Sequence, residues 1–395
     1  MAQATDPPNL IRLIPAKEAG PYDSMPPLSG GGIPFVIEVF VLRSNLLRAA
    51  LLLLAGVLAA CSAGATPSPA PTPTAAPTAS PSPTLGPPEP VRLALDWTPN
   101  TDHTGFFVAQ AKGWYRDAAV DLKVLPYSNT VPETLMGSGQ ADCGISFQDS
   151  MTFAVAAGVK INSVMAILQH TASAIAVLAD SGITRPRQLD GKTYAGFGYP
   201  NEDPTLKAVI KADGGTGTFK TVTLDSTAYE ALYARKADFT IPFTAWEGVE
   251  ATERHIDLRY FKFQDYGFPD FYQVVLACSN DWLAAHPDLA KRFVGATIRG
   301  FAYAVSNPDD AAAILIAQNP GVFDANPALP LDSARFLASG GYYVDASGMV
   351  GHQTLEEWTA YSKFLYDQGL LTGADGKPLT APLDYASLFT NELQP

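Results

Sequence analysis

Short apolar runs alternate with helix-period segments along most of this chain, and the alternation carries the fold. Val91–Leu95 alternates apolar and polar positions and reads as a strand. Phe106–Lys112 has helical spacing and stops at Gly113. Val120–Pro126 is a second strand, Val131–Ser138 a short helix, and Gly139–Ser146 a turn into a third strand. Asp149–Gly158 is a helix with glycine at its end. Val164–Gln169 and Ala174–Ala179 are strands. This rhythm predicts a parallel sheet flanked by helices.

A second unit follows in the same style. Thr193–Gly196 is a strand, a Pro/Gly loop runs to Pro204, and Thr205–Ala212 is a helix. Thr221–Leu224, Phe239–Pro242, Asp257–Phe263 and Tyr272–Ala277 read as strands. Tyr229–Arg235 and Glu247–Arg254 read as helices between them. Beyond residue 278 the pattern is helical: Asp281–Ala285, Asp288–Ser306, Asp309–Gln318, Leu331–Leu337 and Gln353–Asp367. The expectation is an α/β protein of two lobes with a helical C-terminal section. The first lobe, 91–180 plus 279–395, is discontinuous; the second is 181–278. The crossings are expected near Ala179–Arg185 and Val275–Asn280. Cys143 and Cys278, on different expected lobes, are expected to be unpaired.

The first ninety residues follow other rules. Arg43 and Arg48 flank an apolar run, Ala49–Ala60, which ends in Leu58-Ala-Ala-Cys61. This is a secretory signal, and it resembles the lipobox of bacterial lipoproteins, with Cys61 as the lipidated residue. The competing reading, a membrane anchor from Phe35, is interrupted by Glu38, Arg43, Asn45 and Arg48. The forty residues before the basic flank are unusual for a signal, so translation is expected to begin nearer Val41. Residues 1–60 are then a signal region and 61–90 a tether. Ten prolines fall between Pro67 and Pro90, a composition that favours extended polyproline II geometry and builds no core.

Charge narrows the partners. The 395 residues carry a net charge of −13, and residues 61–395 keep it with 22 basic and 35 acidic side chains. Nucleic acid is excluded as the main partner, since phosphate binding needs clustered Lys and Arg. Three cysteines without CxxC spacing exclude a disulfide scaffold and a cysteine metal centre. No Gly-x-Ser-x-Gly elbow and no clustered histidine ligands occur, so neither a hydrolase nor a metal cofactor is expected.

Ligands of open α/β sheets lie beyond the carboxyl ends of the strands. The loop after the first strand packs Asp96, Trp97, Thr98, Asn100, Thr101, Asp102, His103 and Thr104 into nine residues. An acid, an indole, hydroxyls, an amide and an imidazole make a recognition set, although Asp, Asn and Thr also suit an ordinary capping turn.

Asp96-Trp-Thr-Pro-Asn-Thr-Asp-His-Thr-Gly105, followed by Phe107–Tyr115, resembles the opening of the substrate-binding proteins related to the yeast thiamine-pyrimidine synthase (NMT1/THI5-like, SsuA/THI5). The likeness continues at Gly139–Asp142, Gly144–Ser146, Ile167–His170 and Leu189–Lys192. It implies a two-lobed periplasmic-binding-protein fold of type II character and a monomeric, lipid-anchored, extracytoplasmic component of an ABC importer. Such a protein hands a small vitamin-type molecule to a membrane permease. The synthase branch needs a cysteine-rich iron motif that this sequence lacks, so no enzyme activity is expected.

The ligands the resemblance implies, riboflavin or a thiamine pyrimidine precursor, are flat heterocycles that need aromatic walls and polar edge groups. The candidate walls are Trp97, Phe147, Tyr199, Trp246 and Tyr272. The candidate edge groups are Asn100, His103, Gln148, His170 and Glu202. Trp246 and Tyr272 read equally well as core aromatics, and His170 as a core histidine. Gly198, Pro200 and Glu202 match the pyrimidine binders, but Tyr199 replaces their small residue. That extra ring favours riboflavin; formylaminopyrimidine or hydroxymethylpyrimidine is the alternative.

Overall fold

The computed structural model describes residues 85–395. The expected signal, Cys61 and most of the tether lie outside the described residues. Among the described residues nine strands form: β1 Glu89–Ala94, β2 Val120–Val124, β3 Cys143–Ser146, β4 Ile161–Ala166, β5 Ile175–Leu178, β6 Thr193–Gly196, β7 Lys220–Thr223, β8 Leu258–Phe261 and β9 Val275–Ser279. β2, β1, β3, β9 and β4 lie side by side in one sheet. β1 is parallel to both β2 and β3, whereas β9 runs antiparallel between β3 and β4. The sheet is therefore mixed, and the purely parallel expectation fails at β9.

β5 pairs antiparallel with β8, and β6 pairs parallel with β7. Bridges from Thr240 to Ala176 and from Phe239 to Tyr194 tie these two ladders together. The chain thus leaves the first sheet between Ala166 and Ile175 and returns between Phe261 and Val275. Both crossings come earlier than the expected Ala179–Arg185 and Val275–Asn280. A short, wholly apolar strand such as β5 carries no mark of which sheet it will join.

The early return also corrects the expectation for the cysteines. Cys143 and Cys278 are register partners on β3 and β9, with Cα atoms 3.9 Å apart, and they are joined by a disulfide.

One apolar core fills the first sheet and its helices, with Leu93, Ile145, Leu276, Phe106, Phe293 and Phe301 among its members. A second surrounds β5 and β6, where Val177, Tyr194, Leu206 and Phe239 meet Tyr361 and Leu365 of the C-terminal helix Leu355–Asp367. The long helix Pro287–Ser306 crosses Thr104–Ala111 at two glycines. A Cβ on Gly300 would lie 2.0 Å from the carbonyl oxygen of Gly105. Only glycine permits this approach, which fixes the segment directly after the Asp96–His103 loop.

Candidate functional site

Four segments converge where strands end. They are the loop after β1, the turn from β3 into helix Gln148–Ala156, the loop after β6, and the Ile241–Glu247 stretch that opens helix Glu247–Glu253. They enclose a cleft with about 870 Å³ of atom-free space, its open mouth included.

The β1 loop is held from below. The Asn100 side chain accepts from the Asp102 N–H at 2.8 Å, and the Asn100 N–H donates to His103 Nδ1 at 3.2 Å. With Nδ1 accepting, the ring proton sits on Nε2 and donates to Asp96 Oδ1 at 2.8 Å. Thr101 bonds Ser333 at 2.6 Å, and the Tyr343 hydroxyl donates to the Thr101 carbonyl at 3.2 Å. These bonds leave Trp97 projecting half-buried among Tyr127, Phe197 and Tyr229, whose rings meet it edge-on at 5.8, 5.8 and 6.2 Å.

Across the cleft, the Glu202 carboxylate accepts from the Phe197 N–H at 3.0 Å and the Tyr199 N–H at 2.8 Å. The Tyr199 ring so held packs edge-on against Phe147 at 6.0 Å, and its hydroxyl donates to the Asp96 carbonyl at 3.4 Å. Asn201 donates to Asp149 at 2.6 Å and accepts from Ser150 at 3.3 Å. Both bonds span from the β6 loop to the helix after β3.

Of the expected site residues, Trp97, Asn100, Phe147, Tyr199, Glu202 and Trp246 line the cleft. The other four do not. His103 is fully buried behind Asp96. Gln148 accepts from the Tyr272 N–H at 2.9 Å and donates to the Glu357 carbonyl at 3.0 Å, which braces the helix start. Tyr272 is buried, its hydroxyl accepting from the Thr354 N–H at 2.9 Å. His170 sits half-exposed at the crossing, 2.8 Å from Asp270, whose carboxylate raises its pKa.

Sequence reasoning did not single out Asp149, Asn201, Tyr229, Phe243, Glu247, Phe271 or Gln273, all of which line the cleft. Asp149 and Glu247 share one signal it passed over: an acid within the first two residues of a helix.

The electrostatics are one-sided. Asp96, Asp102, Asp149, Glu202 and Glu247 line the cleft, and no Lys, Arg or His does among the described residues. Burial, the leading cause at each, pushes Asp149 up to about 6 and Glu247 to about 8, and Glu133 behind them to about 7. An acid whose folded pKa lies above its unfolded one supports the fold below the unfolded value. That support fades as pH rises through the folded value. Glu247→Gln removes this term while keeping an oxygen for the Phe243 N–H. The unliganded variant is expected to gain stability over the wild type as pH rises from 5 to 9, on the order of a few kcal/mol. Calorimetric melting across that range checks this, and a difference that does not change with pH contradicts it.

A family model described as NMT1/THI5 like matches residues 100–311, more than half of the chain. The chain belongs to the NMT1/THI5-like family. A formylaminopyrimidine-binding protein of Halalkalibacterium halodurans is 26% identical over 68% of this chain and 82% of its own length. The riboflavin-binding protein RibY of Chloroflexus aurantiacus is 25% identical over 77% and 86%. The 4-amino-5-hydroxymethyl-2-methylpyrimidine phosphate synthase THI5 of Saccharomyces cerevisiae is 26% identical over 76% and 87%. Among solved structures, the alkanesulfonate-binding protein SsuA of Xanthomonas axonopodis superposes with a TM-score of 0.57 at 15% identity. That superposition covers 73% of this chain and 96% of SsuA. The fold is the mixed α/β fold of periplasmic binding proteins.

Proposed function

We propose that this chain is the extracytoplasmic substrate-binding component of an ABC importer, capturing an amino-substituted pyrimidine in the cleft. The observation that carries this reading is the lining itself: aromatic rings from several segments around five carboxyl groups, with no basic side chain among the described residues. Rings stack on a flat heterocycle, and carboxylates accept from its amino and ring N–H groups. A sulfonate or a phosphate ester would meet five carboxyl groups and no basic side chain among the described residues, which disfavours both an alkanesulfonate ligand and a synthase that handles a phosphorylated product. Formylaminopyrimidine, named for one relative, is rich in donors. Riboflavin, named for another, offers more acceptors than donors along its ring edge; the density of aromatic rings is what favours it as the second reading.

Trp97 and Tyr199 enter the cleft from segments that follow strands of different sheets, so a ligand between them stabilises closure by its contacts to both sides. The buried Cys143–Cys278 disulfide fits a protein that folds in an oxidising compartment, as the lipobox at Cys61 would require. Among the described residues no helix is long and apolar enough to cross a membrane; the attachment proposed is a lipid on Cys61, on the strength of Leu58-Ala-Ala-Cys61 after its basic flank and apolar run.

The deciding experiment is calorimetric titration of the purified protein with 4-amino-5-hydroxymethyl-2-methylpyrimidine, formylaminopyrimidine and riboflavin, with mass analysis of each after overnight incubation. Binding of a pyrimidine, recovered unchanged, is expected. Yellow protein that binds only riboflavin supports the second reading. A ligand converted in excess over protein contradicts the binding-protein reading altogether.

A further inference from the structure

The carboxyl groups around the cleft are not equivalent. Asp96 is engaged by His103, Asp149 by Asn201 and the Ser150 N–H, and Glu202 by two backbone N–H groups of its own loop. Asp102 is different. It is only 3% exposed and lines the cleft, yet its carboxyl accepts no hydrogen bond from any described residue, and its Oδ1 is fully enclosed. Glu247, 4% exposed, lines the same cleft within range to raise the Asp102 pKa by its charge, and it accepts from the Phe243 N–H at 3.0 Å.

A buried carboxyl without a partner is costly to a fold and rare unless something external completes it. Nothing on the protein side compensates this one. The titratable groups that face Asp102 are Asp96, Glu247 and Tyr343. Those that face Glu247 are Asp102, Glu250, Tyr229, Tyr233 and Tyr260. Every one is acidic or neutral. The missing partner must arrive with the ligand, and a cation satisfies two neighbouring acids better than a neutral donor does.

We infer that the cleft takes its ligand as a cation, with Asp102 and Glu247 receiving a positively charged nitrogen substituent, and that ligand charge is a determinant of specificity. This deepens the pyrimidine reading and rests on it. In the empty cleft, burial and the neighbouring acids push the Asp102 carboxyl well above its ordinary range, and burial raises Glu247 to about 8. An arriving ammonium keeps its own proton and favours the ionised form of both acids: the Glu247 carboxyl O–H gives its proton to buffer, and the carboxylates pair with the ligand N–H groups.

Two pyrimidines that differ in one substituent separate the outcomes. 4-amino-5-aminomethyl-2-methylpyrimidine bears an ammonium at pH 7, and its 5-hydroxymethyl analogue does not. Calorimetry of the wild-type protein is expected to show the aminomethyl compound binding about tenfold or more tightly. Titrations in two buffers of different ionisation heat should show protons released with it and few with the analogue. In Asp102→Asn, and independently in Glu247→Gln, the ratio of the two affinities should fall toward one and the proton release should shrink. Equal wild-type affinities, or a ratio unchanged in both variants, overturn the inference and leave the pyrimidine reading standing. If neither pyrimidine binds while riboflavin does, both fall.

Discussion

Replacing Trp97 or Tyr199 by alanine is expected to weaken ligand binding by roughly ten- to a thousandfold. Each ring is a wall of the cleft, and they come from different sides: Trp97 from the loop after β1, Tyr199 from the loop after β6. A lost wall removes apolar burial of ~1.5–3 kcal/mol and a stacking term of ~0.5–1.5 kcal/mol, with ~1.4 kcal/mol per factor of ten. The two positions differ in what remains behind. Trp97 already touches three rings edge-on, so Trp97→Ala opens a gap that Tyr127, Phe197 and Tyr229 share. Tyr199→Phe keeps the ring and removes only the 3.4 Å bond to the Asp96 carbonyl, so it should retain most of the affinity. Calorimetric titration with the pyrimidines and riboflavin, beside melting curves to confirm folding, reads these effects. Two alanine variants that fold and bind as tightly as wild type would place the ligand elsewhere.

How much of this was legible in the sequence depends on the scale of the feature. Apolar runs and helix-period segments found the elements, because burying one face is a local demand: Thr193–Gly196 and helix Glu247–Glu253 fall where the pattern puts them. Partnership between strands was not legible. β5 and β9 are continuous apolar runs, buried on both faces, and such runs fit any central position of any sheet. Both were therefore assigned to the wrong sheet, and the crossings moved with them.

In the cleft, residues that follow strands directly were readable, as Trp97, Phe147 and Tyr199 show by lining it. Roles were harder. His103 looks like a group for a ligand edge and instead lies behind the lining, donating to Asp96; Glu202 lines the cleft and also accepts within its own loop, which holds Tyr199 in place. Asp102 reads as one polar turn residue among several; only the fold reveals that its carboxyl has no partner among the described residues.

Loss of the Cys143–Cys278 bond is expected to destabilise the protein by about 2–5 kcal/mol, mostly through the unfolded chain. The two cysteines lie 135 residues apart, and the loop they close holds all of β4 to β8. Cross-linking such a loop removes many conformations from the unfolded ensemble. In the native state the bond adds little that the ladder lacks, since β3 and β9 pair at four positions, the cysteine pair at one end and three more beyond it. Alanine at both positions leaves no buried polar group, so the double variant Cys143→Ala/Cys278→Ala reports the cross-link with only a small packing change. Urea unfolding should show a lower midpoint for the double variant than for the oxidised wild type. Wild type treated with reductant in urea should approach the variant's curve, while reductant should leave the variant unmoved. The same bond makes a chemical statement: unfolded wild type should react with thiol reagents at neither position until reduced. Coincident unfolding curves, or two labelled thiols in unreduced chain, would mean that the bond does not form and that β9 is held by its hydrogen bonds and apolar neighbours alone.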